Sequence, residues 1–221
     1  MKFCYGRFSL LILPLLLASS MVSASCFNLE WKRGKPYDYY DNETRVATQG
    51  RGKSLLYFVE HYHFTPEVRS LQKGTTTALP GDILFVLNSI PNHPGGLDAY
   101  SRYEKRYNNS PTLQNSRNYK KPQFKADCFF ERADRVFPGR AETLMVWGIH
   151  EFRNNRLDRA RSLLQRTIEL KPEYIEAHYN LGLVLVDLKL PDIARKHANI
   201  AYEAGYPLPG LLNKLDELEK E

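Results

Sequence analysis

Residues 141–174 read AETLMVWGIHEFRNNRLDRARSLLQRTIELKPEY, and residues 175–208 read IEAHYNLGLVLVDLKLPDIARKHANIAYEAGYPL. Laid one beneath the other, the two stretches keep step. Gly148 and Gly182 are 34 residues apart, and so are Ala160 and Ala194, with Ala126 a further 34 residues upstream. Pro138 and Pro172 share the interval, as do Ala133, Thr167 and Ala201. A period of this length marks a repeated supersecondary unit that cannot bury its apolar face alone and stacks on its neighbour. Small residues are required where helix backbones approach most closely. The prolines end one unit before the next begins, because the residue before a proline is pushed out of helical conformation.

These residues resemble the tetratricopeptide repeat, whose pattern runs large-x2-Leu-Gly-x2-Tyr, then Ala-x3-Phe, then Pro. The first unit offers Leu144, Trp147-Gly148, Glu151, Ala160, Leu164 and Pro172. The second offers His178, Leu181-Gly182, Leu185, Ala194 and Ala198, and its Tyr179-Asn180-Leu181-Gly182 is typical of the family. Glu151 stands where an aromatic is usual, and Ala198 is small. Ala126, Phe130, Ala133 and Pro138 match the second helix of an earlier unit, whose first helix falls at residues 96–107, with extra chain in a loop at 108–122. Leu211, Leu212, Leu215 and Leu218 make residues 209–221 a capping helix over the open end. The expected fold is mostly α: a tetratricopeptide-type α-solenoid with an irregular or extended N-terminal arm at 26–64, degenerate helix pairs at 65–140, two repeats at 141–174 and 175–208, and the cap. Pro36-Tyr37-Asp38-Tyr39, Phe64-Thr65-Pro66-Glu67-Val68 and Gly205-Tyr206-Pro207-Leu208-Pro209-Gly210 are similar to a group of small exported bacterial proteins carrying such repeats.

Export is also expected from the first 25 residues. Lys2 and Arg7 precede an apolar run from Phe8 to Ala18, and small residues follow to Ser25. That is the order of a secretory signal peptide, and the run is too short to span a membrane. Without it the net charge falls from +6 to +4, and of three cysteines Cys26 and Cys128 remain. In an oxidising compartment such a pair reads as a disulfide, tying the arm to the repeats. Cys26 after small residues also allows a lipid anchor. The chain is 43% hydrophobic and 25% charged, which excludes wholesale disorder and collagen-like or low-complexity fibre. Ser54 to Phe64, rich in β-forming residues, is expected to be extended.

No stretch carries a catalytic motif, a phosphate loop or a dinucleotide fingerprint. His61 and His63 would share a face of an extended segment and could begin a metal site, but no third ligand is spaced to complete it. Neither an enzyme nor a cofactor is expected. Residues 102–125 place Arg102, Lys105, Arg106, Arg117, Lys120, Lys121 and Lys125 against Glu104 alone, with Tyr103, Tyr107 and Tyr119 among them. That patch suits an acidic protein or peptide; export disfavours nucleic acid. The resemblance further implies a concave groove formed by Glu142, Met145, Ile149, Phe152 and Arg153, then Glu176, Tyr179, Leu183, Val186 and Asp187, with Asn180 nearby. The expected role is a periplasmic protein–protein interaction or scaffold module. The alternatives are an enzyme or metal protein centred on His61 and His63, or a purely structural envelope protein whose groove its own arm fills.

Overall fold

A computed structural model describes Cys26 and residues 34–46, 48–49 and 52–218 of the protein. The expected signal segment at 1–25 lies outside them. The described chain is mostly helical. The arm holds α1 (Asn42–Val46) and a short antiparallel ribbon of β1 (Thr48–Gln49) and β2 (Lys53–Ser54). It then enters α2 (Leu55–Phe58), which continues as a π-helical turn at Val59–His63. After these come α3 (Pro66–Arg69), α4 (Gly81–Ser89), α5 (Pro94–Asn108), α6 (Pro111–Gln114) and α7 (Ala126–Val136). Four longer helices follow: α8 (Ala141–Arg153), α9 (Leu157–Leu170), α10 (Ile175–Asp187) and α11 (Pro191–Glu203), with α12 (Gly210–Leu218) at the end.

The 34-residue ladders coincide with the buried contacts of the last four long helices. α8 packs on α9, α9 on α10, and α10 on α11. Ala126, Ala133, Ala160, Thr167, Ala194 and Ala201 are all buried. A side-chain carbon added at Gly148 would lie 2.7 Å from Leu164 Cγ, so this backbone takes no larger residue without movement. At Gly182 the corresponding neighbour is Leu211 of α12, 2.4 Å from an added carbon. Ala198 leaves room on α11 where α9 carries Leu164, and Leu211 fills the contact from the cap. The turns repeat as well. Asn155 and Lys189 both adopt left-handed backbone, with φ of 58° and 60°. Arg156 N–H donates to Glu151 O and Leu190 N–H to Leu185 O, each at 2.9 Å, the six-to-one bond of a Schellman helix end.

The expectation of an extended Ser54–Phe64 is corrected. The Ser54 hydroxyl caps α2 by accepting from Tyr57 N–H at 3.1 Å. Leu56, Val59 and Phe64 are buried in the core. Burial at i, i+3 and beyond stabilises a helix here despite the β-forming composition. Before Ser54 the described residues hold only α1 and the short β1–β2 ribbon as regular structure. Asp38 anchors it: Asn92 Nδ2 donates to Asp38 Oδ1 at 2.7 Å, and Arg140 Nε donates to Oδ2 at 2.8 Å. The Cys26–Cys128 disulfide is present and joins the arm to α7. No helix of the described residues is long and apolar enough to cross a membrane.

Candidate functional site

Asp98, Ser101, Arg102 and Lys105 recur at three- and four-residue steps along α5 and so share its face toward α8. Arg153 meets that face from the last turn of α8. Asp98 accepts from Arg102 Nε at 2.7 Å and from Arg153 NH2 at 2.9 Å. The Lys105 ammonium donates to the Arg153 carbonyl. Arg106 donates to Leu71 O at 3.2 Å, and Arg102 to Arg69 O at 2.9 Å. Between them lies a cavity of about 420 Å³ whose wall includes Leu71, Arg102, Lys105, Arg106 and Arg153 and no carboxylate. Four cations line it, two of them, Arg102 and Arg153, paired with Asp98 outside the wall, so Lys105 and Arg106 are the charges without a carboxylate partner among the described residues, and Leu71 adds an apolar side.

Lys105 and Asn109 also border a second, more polar cavity of about 320 Å³. Three helices meet there. Ser101 Oγ lies 2.7 Å from His150 Nδ1, and His150 Nε2 lies 2.8 Å from Asp127 Oδ1. Ser101 and His150 are each 2% exposed. Arg153 NH1 donates to Ser101 Oγ at 3.0 Å, and Arg156 NH2 donates to Asp127 Oδ1 at 2.6 Å. Burial pushes the Asp127 carboxyl up, but the His150 hydrogen bond and the Arg156 charge outweigh it and hold Asp127 below its ordinary range. Glu104, on the same wall, is raised by burial, although it accepts from Ala126 N–H at the start of α7 at 2.9 Å.

Asp127, His150 and Glu151 each place a ligand atom within 4.8 Å of the others. They do not suit a metal, because the Arg156 guanidinium already bridges Asp127 and Glu151 and supplies the positive charge an ion would bring. His61 and His63 do not converge either, which corrects the shared face expected of an extended segment. His61 is exposed and stacks on Tyr57 with ring centroids 5.0 Å apart. His63 hydrogen-bonds Asp82 Oδ1 at 2.9 Å and stacks on Phe85.

The sequence-derived basic residues divide. Arg102, Lys105 and Arg106 surround the cationic cavity together with the groove residue Arg153, whereas Lys125 borders the polar cavity. Arg117, Lys120 and Lys121 are exposed on the connection from α6 to α7. That connection is pinned where Lys120 N–H donates to Leu79 O at 2.7 Å. Of the expected groove residues, Met145, Tyr179 and Val186 are buried. Tyr179 packs on Tyr206 with ring centroids 4.4 Å apart, and a carbon added at Gly210 would lie 2.9 Å from its hydroxyl. Asp187 pairs with Lys214 of α12, and Glu142 with Lys171 at 3.2 Å. Glu142, Ile149, Phe152, Arg153, Glu176, Asn180 and Leu183 are partly exposed. Sequence reasoning missed Ser101, Asp127 and His150 as a unit, because they lie on three helices with no common spacing. The signal that could have led there is Glu151, a carboxylate at an aromatic position, beside His150. Comparison of the chain with protein-family models gives no match, and comparison with curated proteins gives none either.

Proposed function

We propose that the protein is an exported binding module, a tetratricopeptide-type α-solenoid with a C-terminal cap, that captures an acidic protein or peptide segment in the periplasm. The 34-residue ladders and the matching helix ends support the repeat. The disulfide supports an oxidising compartment. One observation carries the binding role: Arg102, Lys105, Arg106 and Arg153 surround a single cavity of about 420 Å³ with no carboxylate in its wall. The partly exposed Ile149, Phe152 and Leu183 on α8 and α10 offer apolar contacts for a bound segment.

A positive cavity attracts carboxylates from a distance, and salt suppresses the attraction because the Debye length is about 8 Å at physiological ionic strength. The test is anisotropy titration with fluorescent Glu/Asp-rich peptides and Gln/Asn-substituted controls. The acidic peptides should bind at least tenfold tighter. Lys105→Gln with Arg106→Gln should lower the association rate, and 0.5 M salt should erase the difference. Equal binding of acidic and neutral peptides would reject the reading.

A further inference from the structure

The polar cavity holds an arrangement that peptide capture does not use. Ser101, His150 and Asp127 form an unbroken hydrogen-bond chain along one wall, with contacts of 2.7 and 2.8 Å. The direction is read from Asp127 at Nε2 and the Asn154 amide, 3.3 Å from Nδ1, while the Arg156 guanidinium lies 3.0 Å from Nε2 on its way to Asp127. The Asp127 carboxylate is ionised and can only accept, so His150 Nε2 carries the proton and donates it. His150 Nδ1 is then the lone-pair nitrogen and accepts from the Ser101 hydroxyl. A serine hydroxyl, an imidazole as base and a carboxylate that orients it are the three roles of nucleophilic acyl transfer. Either ring nitrogen can serve as the base, since the carboxylate decides which one is free.

We infer that Ser101 is a nucleophile activated by His150 and Asp127, and that the polar cavity accepts small acyl esters. Ser101 Oγ attacks the ester carbonyl carbon, and its proton passes to His150 Nδ1. The tetrahedral oxyanion collapses, the carbon–oxygen bond to the alcohol breaks, and the alcohol leaves with the proton from Nδ1. Water then attacks the acyl-serine, gives a proton to Nδ1, and releases the carboxylic acid as that proton returns to Ser101 Oγ. Arg153 NH1, donating to Ser101 Oγ at 3.0 Å, favours the developing alkoxide. The cavity wall carries Lys105, Lys125 and Arg156 beside the carboxylates Glu104 and Asp127. The polar lining and the volume of about 320 Å³ favour a short acyl group such as acetyl. This assignment shares Lys105 and Arg153 with the peptide-binding reading, and the adduct on Ser101 tests it separately.

The experiment is labelling of the folded full chain with a fluorophosphonate probe, followed by intact mass and peptide mapping. One adduct should appear, on Ser101. It should be absent from heat-denatured protein and from Ser101→Ala, and reduced at least tenfold in His150→Gln. Turnover of 4-nitrophenyl acetate should fall at least tenfold in Ser101→Ala. A circular-dichroism melt accompanies each variant; if a variant does not fold, the site mapped on the wild-type chain decides by itself. No adduct on folded protein, or an adduct at another residue, overturns the assignment.

Discussion

Glu151 is fully buried yet ionic. It accepts from Trp147 Nε1 at 2.8 Å and pairs with Arg156 and Arg159 across the α8–α9 turn. The carboxylate satisfies itself at this buried position with charge-assisted bonds. Glu151→Gln keeps the shape but removes the charge, and should cost about 2 kcal/mol in urea unfolding. Asp82 is a second buried carboxylate, 1% exposed. It accepts from Thr75 N–H at 2.8 Å and Thr76 N–H at 3.0 Å. Burial opposes its ionisation, and the bonds from Thr76 and His63 outweigh burial, so its carboxyl lies below the ordinary range. A depressed carboxyl contributes stability fully above its unfolded value and loses it as pH falls through the folded one. Asp82→Asn should therefore cost about 1–3 kcal/mol at pH 7, and the gap to wild type should narrow at strongly acid pH. An equal gap at both pH values would show that the charge contributes nothing.

The helix pairs were legible because their period is set by backbone contact, which admits only small residues at Gly148, Ala160 and Ala194. The helical Ser54–Phe64 was not, because local composition favours a strand and tertiary burial of Leu56, Val59 and Phe64 decides the matter. The cations of the candidate site were legible as charge, but their convergence depends on how α5 meets α8, which no spacing encodes. The left-handed turn residues were hidden for a related reason. Asn155 tolerates that backbone, whereas Lys189 at φ 60° does not suit it and gives no sequence signal. Lys189→Gly should relieve the strain and stabilise the protein by about 1 kcal/mol, seen as a higher urea midpoint at unchanged m. Gly148→Leu should do the reverse, costing about 1–3 kcal/mol by forcing Leu164 aside. If Lys189→Gly lowers the midpoint, the turn does not have this geometry.

Besides the core burial of Leu56, Val59 and Phe64, the arm is held to the helical body by two devices of different chemistry. One is the polar latch of Asp38 on Asn92 and Arg140, extended by Arg140 to Asp41 at 2.7 Å. The other is the disulfide from Cys26 to the buried Cys128, which closes a separation of 102 residues. A cross-link over that length restricts the unfolded chain strongly, on the order of 4–5 kcal/mol by the chain-entropy estimate. The α8–α11 contacts lie outside the closed loop, because all four helices follow Cys128 in the chain. Reduction should therefore lower global stability by up to about 5 kcal/mol while leaving the packing between those helices in place. Hydrogen exchange on folded protein should separate the two effects. With reductant, amides of residues 38–44 should lose protection first, since the latch and the few bonds of Tyr37 and Tyr39 to Ser89 and Asn92 then hold them. Amides of α8–α11 should keep their relative order of protection. Cys26→Ala should reproduce the reduced protein without added reductant. An unchanged urea midpoint on reduction would mean that the latch carries the arm without the disulfide, and Arg140→Ala in reduced protein would then be the variant that releases it.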